Sequence, residues 1–193
     1  MEPTTYCTLE VRGAAAEGIG TMVVPVLQRA MMILHSVFSR SPDSYAVDFP
    51  EHRLGSVSRG PRLGRAIRLF SVSREFCEQA LDALDEDRVL IEYLVLGRVR
   101  SFSSEHHAGA WVSMHRFRVA PRTQPGNRLA DIERLNHQSM PFLILRSQST
   151  GHRFSLMLDR RLHADRSDRP SGMPNSYGLS ERNNPVYLPV LPA

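Results

Sequence analysis

Lysine is absent: all 24 basic residues of this 193-residue chain are arginine. The compact, strongly hydrated ammonium is therefore missing, and every fixed cation is a planar guanidinium suited to bidentate contact with phosphate or a guanine edge. A GC-rich coding bias that replaces Lys by Arg throughout would give the same count, so composition alone leaves both origins open. Cysteine is scarce as well. Cys7 and Cys77 lie far apart with neither a CxxC nor metal-ligand spacing, which excludes a disulfide framework and a zinc module and predicts two buried reduced thiols. No apolar run approaches the ~18 residues of a membrane span, and Met1-Glu2-Pro3 opens no basic-then-apolar leader. The expectation is a cytoplasmic protein without membrane contact.

What is present is an ordinary globular composition, 41% apolar and 23% charged, in a chain long enough for one large or two small domains. The charge is unevenly spread. Residues 1–96 hold 10 Arg against 13 acids, while residues 97–193 hold 14 Arg against 7, giving −3 and +7. A polyanion-binding face is thus expected mainly in the second half.

Hydrophobic periodicity sets the elements. Thr5 to Arg12 alternates as a first strand, and Gly13 to Gly20 reads as a linker. Val23, Leu27, Ala30, Met31, Leu34 and Phe38 mark a long helix to about Arg40. Tyr45 to Phe49 and Ala66 to Ser71 read as strands, Ser73 caps a helix buried through Phe76, Cys77, Ala80, Leu81 and Leu84, and Val89 to Leu96 is an apolar fourth strand. Strand, helix, strand, strand, helix, strand is the split-βαβ pattern. The fold class is therefore α+β, with a ferredoxin-like (RRM-like) domain over 1–97 and a smaller, irregular β-rich domain over 98–193. In the second part, Trp111 to Val119 is a strand with Val112, Met114, Arg116 and Arg118 on one face. Asn127 caps a short helix, and Asp159 to Pro174 reads as a polar, mobile segment. Tyr177 to Leu191 is extended.

The most informative stretch is Pro141 to Phe154, PFLILRSQSTGHRF. Phe142 to Leu145 reads as a buried strand, and at Arg146 it breaks into Ser147, Gln148, Ser149, Thr150 and Gly151. Hydroxyls, an amide and free N–H groups, flanked by Arg146, His152 and Arg153, suit a phosphate backbone. An ordinary polar turn between two strands has the same composition. His106, His107 and His115 fit no ligand spacing, so no metal site and no cofactor is assigned.

Four islands carry a resemblance: Leu34-His35, Val47-Asp48-Phe49-Pro50, Leu145-Arg146-Ser147-Gln148-Ser149-Thr150-Gly151 and Tyr177-Gly178-Leu179-Ser180. In order and spacing they resemble the CRISPR RNA-processing endoribonucleases of type I-F (Csy) systems. The resemblance implies catalytic roles for His35, for Ser147 at the attacking hydroxyl and for Tyr177 orienting the histidine. It implies phosphate contacts from Gln148, Ser149 and Thr150, and an aromatic platform at Phe154 beneath an RNA hairpin; Phe154 also fits a plain core strand. The family reads its hairpin through a strand ending in Arg and Gln and through an arginine-dense helix. Here Met114 and Arg116 occupy the strand positions, and Arg128 and Arg134, flanked by Asp131 and Glu133, are the only arginines of a much shorter helix.

The chain therefore resembles a divergent or compact member, with Arg116, Arg118, Arg146 and Arg153 expected to carry more of the RNA binding. The implied partners are a CRISPR repeat hairpin and other effector-complex subunits, including the backbone subunit. The implied activity is metal-independent cleavage 3′ of the hairpin. A non-catalytic hairpin-binding subunit capping the guide RNA is the alternative reading of the same motifs.

Overall fold

The computed structural model describes residues 1–13, 22–56, 58–104, 107–147, 149–164 and 171–192. The linker expected at Gly13 to Gly20 falls almost wholly outside these residues.

The first sheet comprises β1 (Thr5–Val11), β2 (Tyr45–Asp48), β3 (Ala66–Ser71), β4 (Leu94–Leu96) and β5 (Arg100–Ser101), ordered β2-β3-β1-β4 with β5 also on β1. All pairings are antiparallel. With α1 (Val23–Phe38) and α2 (Arg74–Asp85) on its connections, this is the expected ferredoxin-like arrangement. Thr5, Cys7, Leu9 and Val11 point inward on alternate positions of β1. Val26, Leu27, Ala30, Met31, Leu34, Val37 and Phe38 form the buried stripe of α1. Ser73 caps α2 by accepting from the Phe76 N–H. Cys7 and Cys77 are free, buried and 3.5 Å apart, joined by a thiol–thiol contact between β1 and α2.

The fourth strand is shorter than the apolar run suggested. Arg88–Tyr93 forms a helix, α3, because the Asp87 carboxylate accepts from the N–H groups of Val89 and Leu90. Only Leu94–Leu96 remains extended. An N-capping side chain immediately before the run outweighed its strand-like composition.

The second sheet is ordered β7-β8-β6-β9, from β6 (Trp111–Phe117), β7 (Phe142–Arg146), β8 (Arg153–His163) and β9 (Leu188–Pro189). Three expectations change here. β7 is not buried throughout: Leu143 and Leu145 face the core while Phe142 and Ile144 are exposed. β8 runs five residues into the segment read as mobile, because its far half pairs with β6, Asp159 opposite His115 and His163 opposite Trp111. Helix α4 (Pro125–His137) begins before Asn127; Pro125 presets its first turn, and Asn127 donates to Gln124 from inside the helix.

One core joins the sheets. Leu34, Phe38 and Val47 share a cluster with Met114, Leu143, Leu145, Leu156, Leu158 and Leu179. A fully buried carboxylate reinforces it, since Asp48 of β2 takes both Nε and Nη2 of Arg160 in β8 at 2.7 and 3.0 Å. Removing either partner of such a pair costs ~3–5 kcal/mol through the charge left behind. The Asp of the Val-Asp-Phe-Pro island thus fixes one sheet against the other. No helix among the described residues is long and apolar enough to cross a membrane.

Candidate functional site

His35 lies in the last turn of α1, directly after the fully buried Leu34 and at the border of the apolar stripe. Its ring lies flat on Tyr177, with centroids 4.0 Å apart and planes 5° from parallel. Its Nδ1 is 2.7 Å from the Ser176 carbonyl oxygen. A carbonyl only accepts, so Nδ1 carries the proton, and in this tautomer Nε2 is the acceptor nitrogen.

The segment that delivers Tyr177 and the Ser176 carbonyl is built by its own sequence. Asn175 Oδ1 accepts from the N–H groups of Tyr177 and Leu179, and the Gly178 N–H donates to the Asn175 carbonyl. Gly178 adopts φ +70, and a Cβ there would meet Phe38, Ala46 and Val47 at 3.0 to 3.2 Å. Only glycine allows this approach, which the Val47 N–H to Gly178 carbonyl bond closes at 2.9 Å. Leu179 then enters the core, and the Ser180 N–H bonds to Met114 of β6.

Phe154 meets Tyr177 edge to face at 6.1 Å. The Arg116 guanidinium sits 5.3 Å from the Phe154 ring and 5.8 Å from the Tyr177 ring, and its buried Nε has no partner among the described residues. Burial, then repulsion from Arg118, lowers the Arg116 pKa. Burial raises that of Tyr177, partly offset by Arg116 and Arg118. The phenol is therefore held neutral beside a cation with an unsatisfied donor. His35, Tyr177, Phe154 and Arg116 form one cluster drawn from α1, the Tyr177 loop, β8 and β6.

Ser147 stands apart from that cluster. It directly follows β7, its N–H bonds to the His152 carbonyl, and its hydroxyl accepts from Thr150 N–H at 3.3 Å and meets Ser149 Oγ at 3.2 Å. Among the described residues no hydrogen bond links Ser147 to His35 or Tyr177. Ser149 and Thr150 are exposed in the turn, Gly151 takes φ +69, and Arg146 reaches back to the Gly151 carbonyl. Arg118 and Arg153 are exposed. Gln148 lies outside the described residues.

The two helix arginines are turned toward the protein. Arg134 holds the fully buried Asp159 with two bonds of 2.8 and 2.7 Å, and Arg128 donates to the Ala120 carbonyl. Burial raises the Asp159 pKa, but the bonds from Arg134 and Arg161 outweigh it and hold the carboxyl below its ordinary value. Arg182 similarly clasps Asp131 of α4. Arg182 did not stand out in the sequence, because its partner Asp131 lies 51 positions away on another element; Arg161 did not either, although its partner Asp159 stands two residues before it on β8. Among the described residues no group of three His, Cys, Asp or Glu side chains could hold a metal. His106 is outside these residues, and His115 is bonded to Ser113 and to the Glu181 carbonyl.

A profile of the Csy4 family, described as CRISPR-associated protein, matches residues 19–189. The chain belongs to the Csy4 family. It is the family whose motifs the sequence resembles, and all four islands fall within the matched range. No curated protein matches this Csy4-family chain. A solved structure, "Structure A of CRISPR endoribonuclease Cse3 bound to 19 nt RNA", is similar at 13% identity and a TM-score of 0.36 over 97% of this chain and 100% of that one.

Proposed function

We propose that this Csy4-family protein is an endoribonuclease that cuts CRISPR precursor RNA 3′ of a repeat hairpin and stays bound to the hairpin as part of an effector complex. The observation that carries the reading is His35, its Nδ1 bonded to the Ser176 carbonyl and its ring stacked on Tyr177. Nε2 takes the proton of the ribose 2′-hydroxyl, and O2′ attacks the adjacent phosphorus. The P–O5′ bond breaks, and the proton is returned to O5′, leaving a 2′,3′-cyclic phosphate and a 5′-hydroxyl. Ser147 orients the attacking hydroxyl, and donors of Ser149 and Thr150 with Arg146 and Arg153 neutralise the phosphorane. Arg116 places its guanidinium on the hairpin side, beside the Phe154 platform.

A hairpin-binding subunit that no longer cuts is the second reading. It is favoured by Ser147, whose hydroxyl is already engaged within its own turn. Incubation with the repeat RNA in excess chelator separates the two. The nuclease reading expects cleavage with a cyclic-phosphate end, abolished by 2′-deoxyribose upstream of the cut with binding intact. Tight binding without cleavage supports the second reading, and cleavage of the deoxy substrate contradicts attack by the RNA's own hydroxyl.

A further inference from the structure

A cleft of about 640 Å³ runs between α1 and β7, within the ~300–1,000 Å³ typical of small-ligand sites. β7 is the outermost strand of its sheet. The Leu158 N–H bonds to the Pro141 carbonyl and the Ser147 N–H to the His152 carbonyl. Positions 141, 143, 145 and 147 are therefore the paired ones, and the backbone of Phe142, Ile144 and Arg146 turns to the free edge. Met32, Ile33 and Ser36 line the cleft from α1, and Ile144, Arg146 and Arg153 line it from the second sheet. The one acid among the described residues of the lining, Asp87, is taken by Arg29 at 2.8 Å. Among the described residues, Arg146 and Arg153 thus leave the lining net positive over an apolar floor.

Its position relative to the candidate site is informative. Ser36 follows His35, and Arg146 precedes Ser147, so both groups assigned to the reacting phosphate stand one residue from the lining. Phe154, which meets Tyr177 and Arg116, points to the opposite face of β8 from Arg153.

We propose that the cleft is a subsite for the RNA strand on the 3′ side of the cut, an inference that rests on the nuclease reading above. A base of that strand lies on Met32, Ile33 and Ile144, and its phosphate on Arg146 and Arg153. A protein strand added along the free edge of β7 is the competing occupant, and the paired arginines favour the polyanion.

The test uses hairpin RNAs with 2′-deoxyribose at the cut, either ending there or carrying a short 3′ tail. The tail tightens binding to the parent protein by roughly tenfold. That gain is lost in Gln28→Glu, which adds an acid to the lining without changing side-chain size, and it is lost again when the first tail phosphate is an uncharged methylphosphonate. Equal affinities with and without the tail overturn the subsite and leave the edge to a protein strand. A gain that survives both changes puts the tail elsewhere and also overturns it. Failure of the tailless hairpin to bind defeats the nuclease reading itself, and the subsite with it.

Discussion

Two contacts hold His35, and they can be removed separately. The Ser176 carbonyl sets the tautomer, and the Tyr177 ring sets the plane of the imidazole. Tyr177→Phe keeps the ring and deletes only the hydroxyl, so the single-turnover cleavage rate should stay within about threefold of the parent, whereas Tyr177→Ala frees the imidazole and should cost roughly 100-fold. Equal losses in the two variants would assign the effect to the phenol oxygen instead. At this scale the sequence carried His35 and Tyr177 as members of ordered islands. It could not reveal Ser176, which acts through a backbone carbonyl that any residue possesses. Nor could it reveal that the Ser147 hydroxyl would be drawn into its own turn, because that depends on Gly151 adopting a positive φ.

Among the elements, α4 departs furthest from an RNA-reading helix, since Arg134 is spent on Asp159 and Asp131 is spent on Arg182. Arg116→Ala should therefore weaken hairpin binding more than Arg128→Ala or Arg134→Ala, by ~1–3 kcal/mol where it reads a guanine edge. Arg134→Ala should instead lower stability by ~1–3 kcal/mol, because among the described residues Asp159 then retains only Arg161. Titrations at several salt concentrations alongside urea melts check both, and affinity dominated by Arg128 or Arg134 would restore α4 as the principal reader. Periodicity located most elements but misjudged those governed by capping or by burial on one face alone. α3 replaced much of a strand because of one Asp87 side chain, and β7 exposes alternate residues because only one face of it packs on the core.

At the level of the whole molecule, buried groups binding the second sheet make its stability depend on pH. Burial, then the nearby Arg161, pushes His115 down to about 4, against the opposing pull of Asp159 and the Glu181 carbonyl. Its ordinary value is ~6.5. The fold favours the neutral ring, so stability is complete above the unfolded pKa and falls as the unfolded chain takes up the proton first. Between pH 7 and pH 5 the protein should lose about 2 kcal/mol, and His115→Asn should remove most of that slope. His52, also lowered by burial and bonded to the Leu158 carbonyl, adds to the loss in the same direction. Urea midpoints that do not move between these pH values would contradict the assignment. The alternation and order of the first sheet were legible in the sequence, and so was the basic bias of the second half. The Asp48–Arg160 tie between the sheets was not, since its partners are separated by 112 positions.

The central claim is that His35 moves the proton in RNA cleavage while contributing little to holding the RNA. The most direct test is His35→Ala, measured for cleavage and for affinity on the same repeat hairpin. The account predicts loss of cleavage, on the order of 10²- to 10⁴-fold or more, with affinity within about twofold of the parent. Comparable cleavage by mutant and parent would contradict it.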